Sequence, residues 1–387
     1  MLYLDHNATT PPTPAVAEAV ARALTDLWAN PSSGHREGQR VRHAVESARE
    51  SVGALLGAKP RTITFTAGGT ESLHLAIRGV LEASPPERRT LITSAVEHEA
   101  IRDLAAHLAS RAETPVTVRT LPVDAHGLID PAALEAALDD TVALVSIQWA
   151  NNETGACQPI EELGALCRHR EVPFHTDATQ WVGKMPVNLD ALPVDLLTFS
   201  AHKFHGPKGI GGLYAHSAVR LAPLFQGAQE RSRRAGTENV PGILGLGIAA
   251  DEARAWLADP ANIEHSQSLR DALQHGLTGA FPDAAVNARF APRLWNTLNI
   301  GFPKLEAEAL VLVLSERGVC ASAGAACASG SLEPSPVLRA MRIPDPIAHG
   351  SIRLSISRFT TPAEIAQALP LIADAVRTVG KSAASVA

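Results

Sequence analysis

The residues best suited to covalent chemistry are two lysines, Lys203 and Lys208, in the stretch Ser-Ala-His-Lys-Phe-His-Gly-Pro-Lys-Gly. Both follow a predicted strand, Leu196–Ser200, and precede a glycine-rich run. A lysine in a partly buried site can act as an uncharged amine and form a Schiff base with a carbonyl compound. His202 and His205 would suit zinc, but neither a cysteine nor a second histidine pair lies nearby in the sequence. Spacing does not choose between the two lysines.

A turn of small residues, Thr-Ala-Gly-Gly-Thr-Glu-Ser, follows predicted strand 62–65 and leads into a helical pattern. Gly69 would let the backbone approach a ligand closely, and a helix start offers free N–H groups to a phosphate. The alternative is an ordinary capped turn with Thr70 as the N-cap. A P-loop is excluded because no Gly-Lys-Ser/Thr follows.

Three further polar side chains follow predicted strands, where ligands collect in an open α/β sheet. His98 begins a helix, and its acidic sequence neighbours do not favour a metal site because adjacent residues rarely converge on one ion. Asn152 follows the most apolar strand, although asparagine is also common in turns. Asp177 could cap a helix or neutralise a buried cation such as a protonated ring nitrogen.

Two cysteines, Cys320 and Cys327, lie in a stretch made almost entirely of Ala, Ser and Gly. Such a stretch cannot pack a core, so we expect a mobile loop over about 318–333. A thiol on a mobile loop can travel to a substrate. The alternatives are two spectator thiols or a Cys320–Cys327 disulfide, which a reducing compartment disfavours.

Composition excludes several classes of protein. The 387 residues carry a net charge of −6 and only 4% aromatics, which argues against a general nucleic-acid binder. No apolar run approaches the roughly 20 residues of a membrane helix, and the first residues do not resemble a signal peptide. Four cysteines are too few for a disulfide scaffold, so we expect a cytoplasmic protein. The charge, the low aromatic content and the short apolar runs predict that it has neither nucleic-acid nor membrane partners.

The predicted elements indicate an α/β protein with a mostly parallel sheet. Short apolar strands alternate with helical patterns up to about residue 255. The remainder has an α+β pattern, in which strand 349–357 alternates apolar and polar residues and should expose one face to water. The predicted strands are 2–4, 62–65, 90–94, 142–147, 172–175, 196–200, 212–215, 296–300 and 349–357.

Together these segments resemble the cysteine desulfurases of the NifS/IscS type, which belong to the class V aminotransferase group of pyridoxal-phosphate enzymes. The most specific matches are Ala-Asn-Asn-Glu-Thr-Gly from 150, Thr-Asp-Ala-Thr-Gln from 176, Ser-Ala-His-Lys from 200, Arg-Ala-Gly-Thr-Glu-Asn from 234 and Ala-Cys-Ala-Ser-Gly-Ser from 326. The resemblance covers nearly the whole chain and implies the PLP-dependent transferase fold, of the aspartate aminotransferase-like kind. It implies a large cofactor domain over 15–255 with a seven-stranded sheet, and a smaller domain from 1–14 and 256–387 that carries the cysteine loop.

The resemblance also implies roles for individual residues. Lys203 carries pyridoxal 5'-phosphate covalently, Asp177 pairs with the pyridine nitrogen, and His98 stacks on the ring and shuttles protons. Arg353 binds the substrate carboxylate, because a planar guanidinium suits that bidentate task. The remaining cofactor contacts are Gln180 and Asn152 on the ring-hydroxyl side, with Asn152 also near the substrate; Gly69, Thr70, Ser200 and His202 at the phosphate; and Thr237, which reaches the phosphate of the neighbouring subunit.

The implied reaction converts L-cysteine to L-alanine, with the sulfur taken up as a persulfide on Cys327. The sulfur then passes to an acceptor such as an iron–sulfur scaffold protein, where Cys327 could also serve as a transient cluster ligand. A homodimer follows from the role of Thr237.

Two departures from the family pattern stand out: Ala201 replaces the usual glycine, and Cys320 is an extra thiol. The competing functions are another class V enzyme, a selenocysteine lyase or aminotransferase, and a catalytically idle scaffold of the same fold.

Overall fold

The computed structural model describes residues 1–323 and 334–384. The elements of the first half are β1 (Leu2–Tyr3), α1 (Pro14–Asp26), α2 (Arg36–Leu56), β2 (Ile63–Thr66), α3 (Gly69–Ala83), β3 (Thr90–Ser94), α4 (Glu99–Ala109), β4 (Thr117–Leu121), α5 (Pro131–Ala137), β5 (Val142–Gln148), α6 (Ile160–His169), β6 (Phe174–Asp177), β7 (Leu196–Ser200) and β8 (Gly211–Ala215). The second half adds α7 (Gln229–Ser232), α8 (Val240–Leu257), α9 (Pro260–Ala280), β9 (Ala285–Val286), β10 (Thr297–Gly301), α10 (Ala307–Glu316), β11 (Val319–Cys320), α11 (Pro336–Ala340), α12 (Asp345–Ala348), β12 (Ser351–Ser355) and α13 (Pro362–Ala384).

The predicted seven-stranded sheet is confirmed, with strand order β2-β8-β7-β6-β5-β3-β4. The five strands from β7 to β4 run parallel, and β8 is antiparallel to both of its neighbours. All seven residues of β5 are buried, as expected for a central strand covered on both faces. The parallel strands direct their carboxyl ends to one edge, which is where the polar segments lie.

Two strand predictions needed correction within this sheet. Strand β4 is absent from the predicted strands because three of the five residues in Thr-Val-Arg-Thr-Leu are polar. Only its last residue is buried, as suits the edge of a sheet. The strand predicted at 172–175 runs instead over Phe174–Asp177. This shift makes Asp177 the last residue of β6 and fixes its backbone by pairing with β5 and β7.

A second layer holds an antiparallel sheet, β12-β10-β9, and the parallel pair β1-β11. Its apolar core contains side chains from β10, β12, α9, α10 and α13, together with Leu2 and Leu4. The prediction of a water-facing side for the last strand is wrong, because all five residues of β12 are buried. The residues that follow β1 cover the polar face of β12: Ser355 accepts a hydrogen bond from the Asn7 N–H, and Arg353 pairs with Asp5. Within the described residues no helix is long and apolar enough to cross a membrane.

Candidate active site

A cavity of about 270 Å³ lies at the carboxyl edge of the central sheet, closed on one side by residues 7–8 and by β12. Ten of the residues singled out by the sequence line it: Gly69, Thr70, His98, Asn152, Asp177, Gln180, Ser200, His202, Lys203 and Arg353. Thr237 lines a different cavity beside Glu230 and Arg234. Cys327 lies outside the described residues.

The structure separates the two candidate lysines. Lys203 ends a short 3₁₀ turn, Ala201–Lys203, directly after β7, and its side chain lines the cavity. Its Nζ donates hydrogen bonds to the backbone oxygens of Asn7 at 2.7 Å and Ala8 at 2.8 Å. Lys208 is exposed and lines neighbouring cavities instead. Lys203 is therefore the amine positioned to react inside this cavity.

An acid and an imidazole line the same cavity as Lys203. Asp177 is buried, and its Oδ1 accepts a hydrogen bond from the Thr179 N–H at 2.9 Å. His98 is the N-cap of α4, where its Nδ1 accepts the Ala100 N–H at 3.2 Å. Burial lowers the pKa of His98, and the charge of Lys203 lowers it further, whereas Asp177 opposes the change. The ring is neutral near pH 7, and because Nδ1 accepts a hydrogen bond, its proton is on Nε2.

One end of the cavity suits an anion. Helix α3 begins at Gly69, and its N-cap is Gly68 rather than Thr70, so no side chain caps its first N–H groups. These N–H groups and the helix dipole favour negative charge at this point. A Cβ on Gly69 would lie 3.3 Å from Thr179 Oγ1, so the space suits glycine. Ser200 and His202 line the cavity beside the helix start.

His202 adds a hydrogen-bonding group to this end of the cavity without adding a charge. Its Nδ1 lies 3.0 Å from Thr9 Oγ1. Burial lowers the pKa of His202 to about 4, helped by the positive charges of Lys203 and Lys208. The ring is therefore neutral near pH 7 and can serve the anion only through hydrogen bonding.

Arg353, in β12, also lines the cavity. Its Nη2 donates to Asp5 Oδ1 at 2.6 Å, and its Nη1 donates to the Asn152 backbone oxygen at 3.0 Å. Its buried Nε has no hydrogen-bond partner among the described residues. A buried guanidinium with an unsatisfied donor can accommodate one more acceptor, such as a substrate carboxylate.

Three important residues were not given a role by the sequence. Asn7 accepts a hydrogen bond from Lys203 Nζ through its backbone oxygen and one from Lys184 Nζ through its Oδ1 at 3.0 Å. Lys184 gives no sequence signal because an isolated lysine usually lies at the surface. Glu97 is fully buried and accepts hydrogen bonds from Ser94 Oγ at 2.5 Å and the Gln148 N–H at 3.0 Å. Burial raises the pKa of Glu97 to about 8, although these two hydrogen bonds oppose the change.

The sequence matches the family described as aminotransferase class-V over residues 2–368. The chain belongs to the class-V aminotransferase family. Class-V enzymes of this kind depend on pyridoxal 5'-phosphate. The cavity fits that cofactor, since it combines a lysine amine, a buried carboxylate and an uncapped helix start around one space.

Individual class-V proteins resemble this chain over nearly its whole length. A cysteine desulfurase of Nostoc is 48% identical over 377 residues, covering 97% of this chain and 93% of the relative. A solved NifS-like protein has a TM-score of 0.89 with 35% identity, covering 97% of this chain and 99% of that one. The solved structure titled SspA in complex with cysteine has a TM-score of 0.81 with 32% identity, covering 93% and 100%.

Proposed function

We propose that this class-V enzyme is a cysteine desulfurase that converts L-cysteine to L-alanine and takes up the sulfur on Cys327. The observation that carries the proposal is that ten residues, chosen from the sequence over a span of nearly 300 positions, line one cavity. The named Nostoc relative and the similar structure titled as a cysteine complex support the same substrate.

We assign the cofactor contacts by the chemistry of each side chain. Lys203 holds the cofactor covalently, because its amine reaches the cavity on the turn after β7. Asp177 pairs with the pyridine nitrogen, and His98 covers the ring. Gln180 and Asn152 lie on the ring-hydroxyl side. The phosphate binds at the start of α3, where the uncapped N–H groups lie beside Gly69, Thr70, Ser200 and His202.

The substrate carboxylate binds to Arg353, which still has a donor to offer. Asp5 and the Asn152 backbone oxygen hold the guanidinium in place through Nη2 and Nη1. The buried Nε has no hydrogen-bond partner among the described residues, and Arg353, Asn152 and Lys203 line the same cavity.

Bound pyridoxal phosphate supplies an electron sink that lets the Cα–H bond of an amino acid break heterolytically. Lys203 accepts the Cα proton on its Nζ, while Asn7 and Ala8 hold that amine with their backbone oxygens. His98 carries its proton on Nε2 and donates it from there, since its Nδ1 is occupied by the Ala100 N–H. The thiolate of Cys327 then forms an S–S bond with the substrate sulfur as the substrate Cβ–S bond breaks. The carbon skeleton keeps the electrons of that bond and is protonated at Cβ. It regains a proton at Cα from Lys203 and leaves as alanine.

Several wider features belong to the same proposal. We infer a division into domains 15–255 and 1–14 with 256–387, since side chains of β10, β12, α9, α10 and α13 form an apolar core of their own with Leu2 and Leu4. Thr237 lines a cavity apart from the one containing Lys203, which fits a contact to the phosphate of a second copy in a homodimer. The Cys327 persulfide passes its sulfur to an acceptor protein. We expect this acceptor to be an iron–sulfur scaffold in the cytoplasm, to whose cluster Cys327 would be a transient ligand. Within the described residues no three potential ligands cluster into a metal site of their own.

Product analysis of the loaded enzyme tests the function. With L-cysteine, the protein should form alanine and sulfide in equal amounts when a reductant is present, and it should not require a 2-oxo acid. Alanine formation that depends on a 2-oxo acid would indicate an aminotransferase instead. Turnover of selenocysteine but not of cysteine would indicate a selenocysteine lyase. A protein that forms no product from any of these amino acids would be an idle scaffold.

A further inference from the structure

An ion pair lies beside the helix start to which we assign the cofactor phosphate. Glu71 is in the first turn of α3, two residues after Gly69, and its Oε2 accepts the Ala67 N–H at 2.8 Å. Arg234 donates from its Nε to Glu71 Oε1 at 2.8 Å. The arginine side chain is 25% exposed and the glutamate side chain is 16% exposed, so water and salt screen these two charges only in part.

Glu71 holds the turn before α3 in place, but its charge has the wrong sign for a phosphate site. Its hydrogen bond to the Ala67 N–H fixes the backbone that leads into the helix. The helix dipole attracts the carboxylate and the phosphate alike, and the two anions repel each other. Glu71 lines a cavity with the four residues assigned to the phosphate: Gly69, Thr70, Ser200 and His202. Phosphate binding at this helix start is therefore favoured by a cation that cancels the charge of Glu71.

Arg234 is placed to be that cation. A guanidinium stays protonated in proteins, so its charge is always present. Its Nε and Nη2 lie 2.8 and 3.4 Å from the two carboxylate oxygens of Glu71. Arg78 and Lys208 line the same cavity, but Arg78 forms an ion pair with Glu82 and Lys208 is exposed. Among the described residues Glu71 therefore has its ion pair with Arg234 alone.

A buried ion pair fixes the segment that precedes Arg234. Glu230 accepts hydrogen bonds from Nη1 and Nη2 of Arg49 and from the N–H of Phe65 in β2, each at 2.8 Å. Residues 230–232 have φ angles between 47° and 62°, a conformation that side chains other than glycine keep only where surrounding contacts hold it. The backbone before Arg234 is thus anchored to β2, which helps to keep the guanidinium beside α3.

We propose that Arg234 is a positioning residue that cancels the charge of Glu71 and so lets the start of α3 bind the cofactor phosphate. Arg234 does not line the cavity that contains Lys203, and it acts through Glu71. The inference rests on the proposed function only for the placement of the phosphate at this helix. It depends neither on the amino acid that the enzyme consumes nor on a second copy of the chain.

The test compares two forms of the cofactor, with and without the phosphate. The full-length protein is freed of cofactor and titrated with pyridoxal 5'-phosphate or with pyridoxal, and binding is followed by visible absorption. Arg234→Met leaves Glu71 unpaired, so the affinity for pyridoxal phosphate should fall about tenfold through repulsion between the carboxylate and the phosphate. The affinity for pyridoxal, which has no phosphate, should stay at the wild-type value.

Two further variants separate the charge of Arg234 from its other contacts. Glu71→Gln removes the negative charge but keeps an acceptor for the Ala67 N–H. The double variant Arg234→Met/Glu71→Gln should therefore recover the wild-type affinity for pyridoxal phosphate, because the two changes act on one interaction. Arg119→Met is the matched control, since Arg119 pairs with Asp139 at 2.8 Å and does not line the cavity. It should change neither affinity.

The outcomes of these titrations are distinct. An unchanged affinity for pyridoxal phosphate in Arg234→Met would overturn the proposal, and so would an equal loss for pyridoxal, which would indicate a damaged fold. A double variant as weak as Arg234→Met would also overturn it and would assign the loss to the loop of Thr237. If Arg234→Met yields no folded protein, Arg234→Gln replaces it with the same expectations. Since no amino acid is added, a failure of the proposed desulfurase activity would show only in the product assay.

Discussion

Arg353 Nη2 donates a 2.6 Å hydrogen bond to Asp5 Oδ1, which joins the end of the first strand segment to β12 at the rim of the cavity. The guanidinium is 3% exposed and the carboxylate is 19% exposed, so the pair is largely withdrawn from water. A second hydrogen bond, from Nη1 to the Asn152 backbone oxygen, also holds the guanidinium in place. The N-terminal segment thus helps to fix the position of the Arg353 guanidinium.

Asp5→Ala should weaken substrate binding more than it slows turnover. Without Asp5, Arg353 loses the partner that orients it, and we expect KM for cysteine to rise about tenfold with a smaller fall in kcat, as for the loss of one charged hydrogen bond. Steady-state kinetics measure the split. Asp374→Ala is the matched control, since Asp374 pairs with Arg317 at 2.9 Å on the surface and away from the cavity. An unchanged KM in Asp5→Ala would refute the assigned role.

Lys203→Ala should abolish turnover and leave any bound cofactor removable by dialysis, because no amine would hold it covalently. Borohydride reduction of wild type followed by peptide mapping should place the cofactor on Lys203. Lys208→Ala should retain covalent cofactor, since Lys208 is exposed and does not line the cavity. Mapping of the cofactor to Lys208 would contradict the assignment.

Glu97 should make the protein less stable as pH rises. Burial raises the pKa of Glu97 from 4.5 to about 8, so the folded state holds a proton that the unfolded state has lost. The free energy of unfolding therefore falls as pH rises from about 4.5 to about 8, and the loss is complete above that range. Glu97→Gln mimics the protonated form, so the free energy of unfolding of this variant should lack the pH dependence that Glu97 contributes. The Tm of the variant minus that of wild type should be larger at pH 8.5 than at pH 5, by roughly 2–4 °C or more. The same Tm difference at both pH values would exclude the effect.

Thr237 should support cofactor binding only in a dimer. Light scattering should show two copies of the chain, and Thr237→Ala should weaken cofactor affinity by about tenfold without dissociating them, through the loss of one hydrogen bond to phosphate. Thr278→Ala in α9 is a control hydroxyl deletion far along the chain from this loop. A monomer that retains its full cofactor content would be incompatible with the proposed contact.

Much of the fold and the site could be predicted from the sequence because the signals were local. Buried strands such as β5 are continuous apolar runs. Asp177 ends one strand and Lys203 follows another, and the carboxyl ends of these strands meet at one edge. The five matched motifs then assigned roles that spacing had left open. Ala201 is fully buried at the start of the turn that carries Lys203.

What the sequence did not predict depends on contacts between distant segments. Nothing local distinguishes Lys184 from a surface lysine, because its two acceptors lie on Asn7 and Gln180. Strand β12 alternates apolar and polar residues like an amphipathic strand, but its polar side chains contact other protein groups: Arg353 pairs with Asp5, and Ser355 accepts the Asn7 N–H. The burial of Glu97 likewise follows from packing against Gln148 in β5.

Transfer of the cysteine sulfur to Cys327 is tested most directly by mass spectrometry of the protein after cysteine is added without reductant. Peptide mapping should find one added sulfur, about 32 Da, on Cys327 and none on Cys320. Cys327→Ser should lose the label and sulfide release while its visible spectrum still responds to cysteine, and Cys320→Ser, the matched control seven residues earlier, should keep both. A label on Cys320, or full desulfurase activity in Cys327→Ser, would contradict the account.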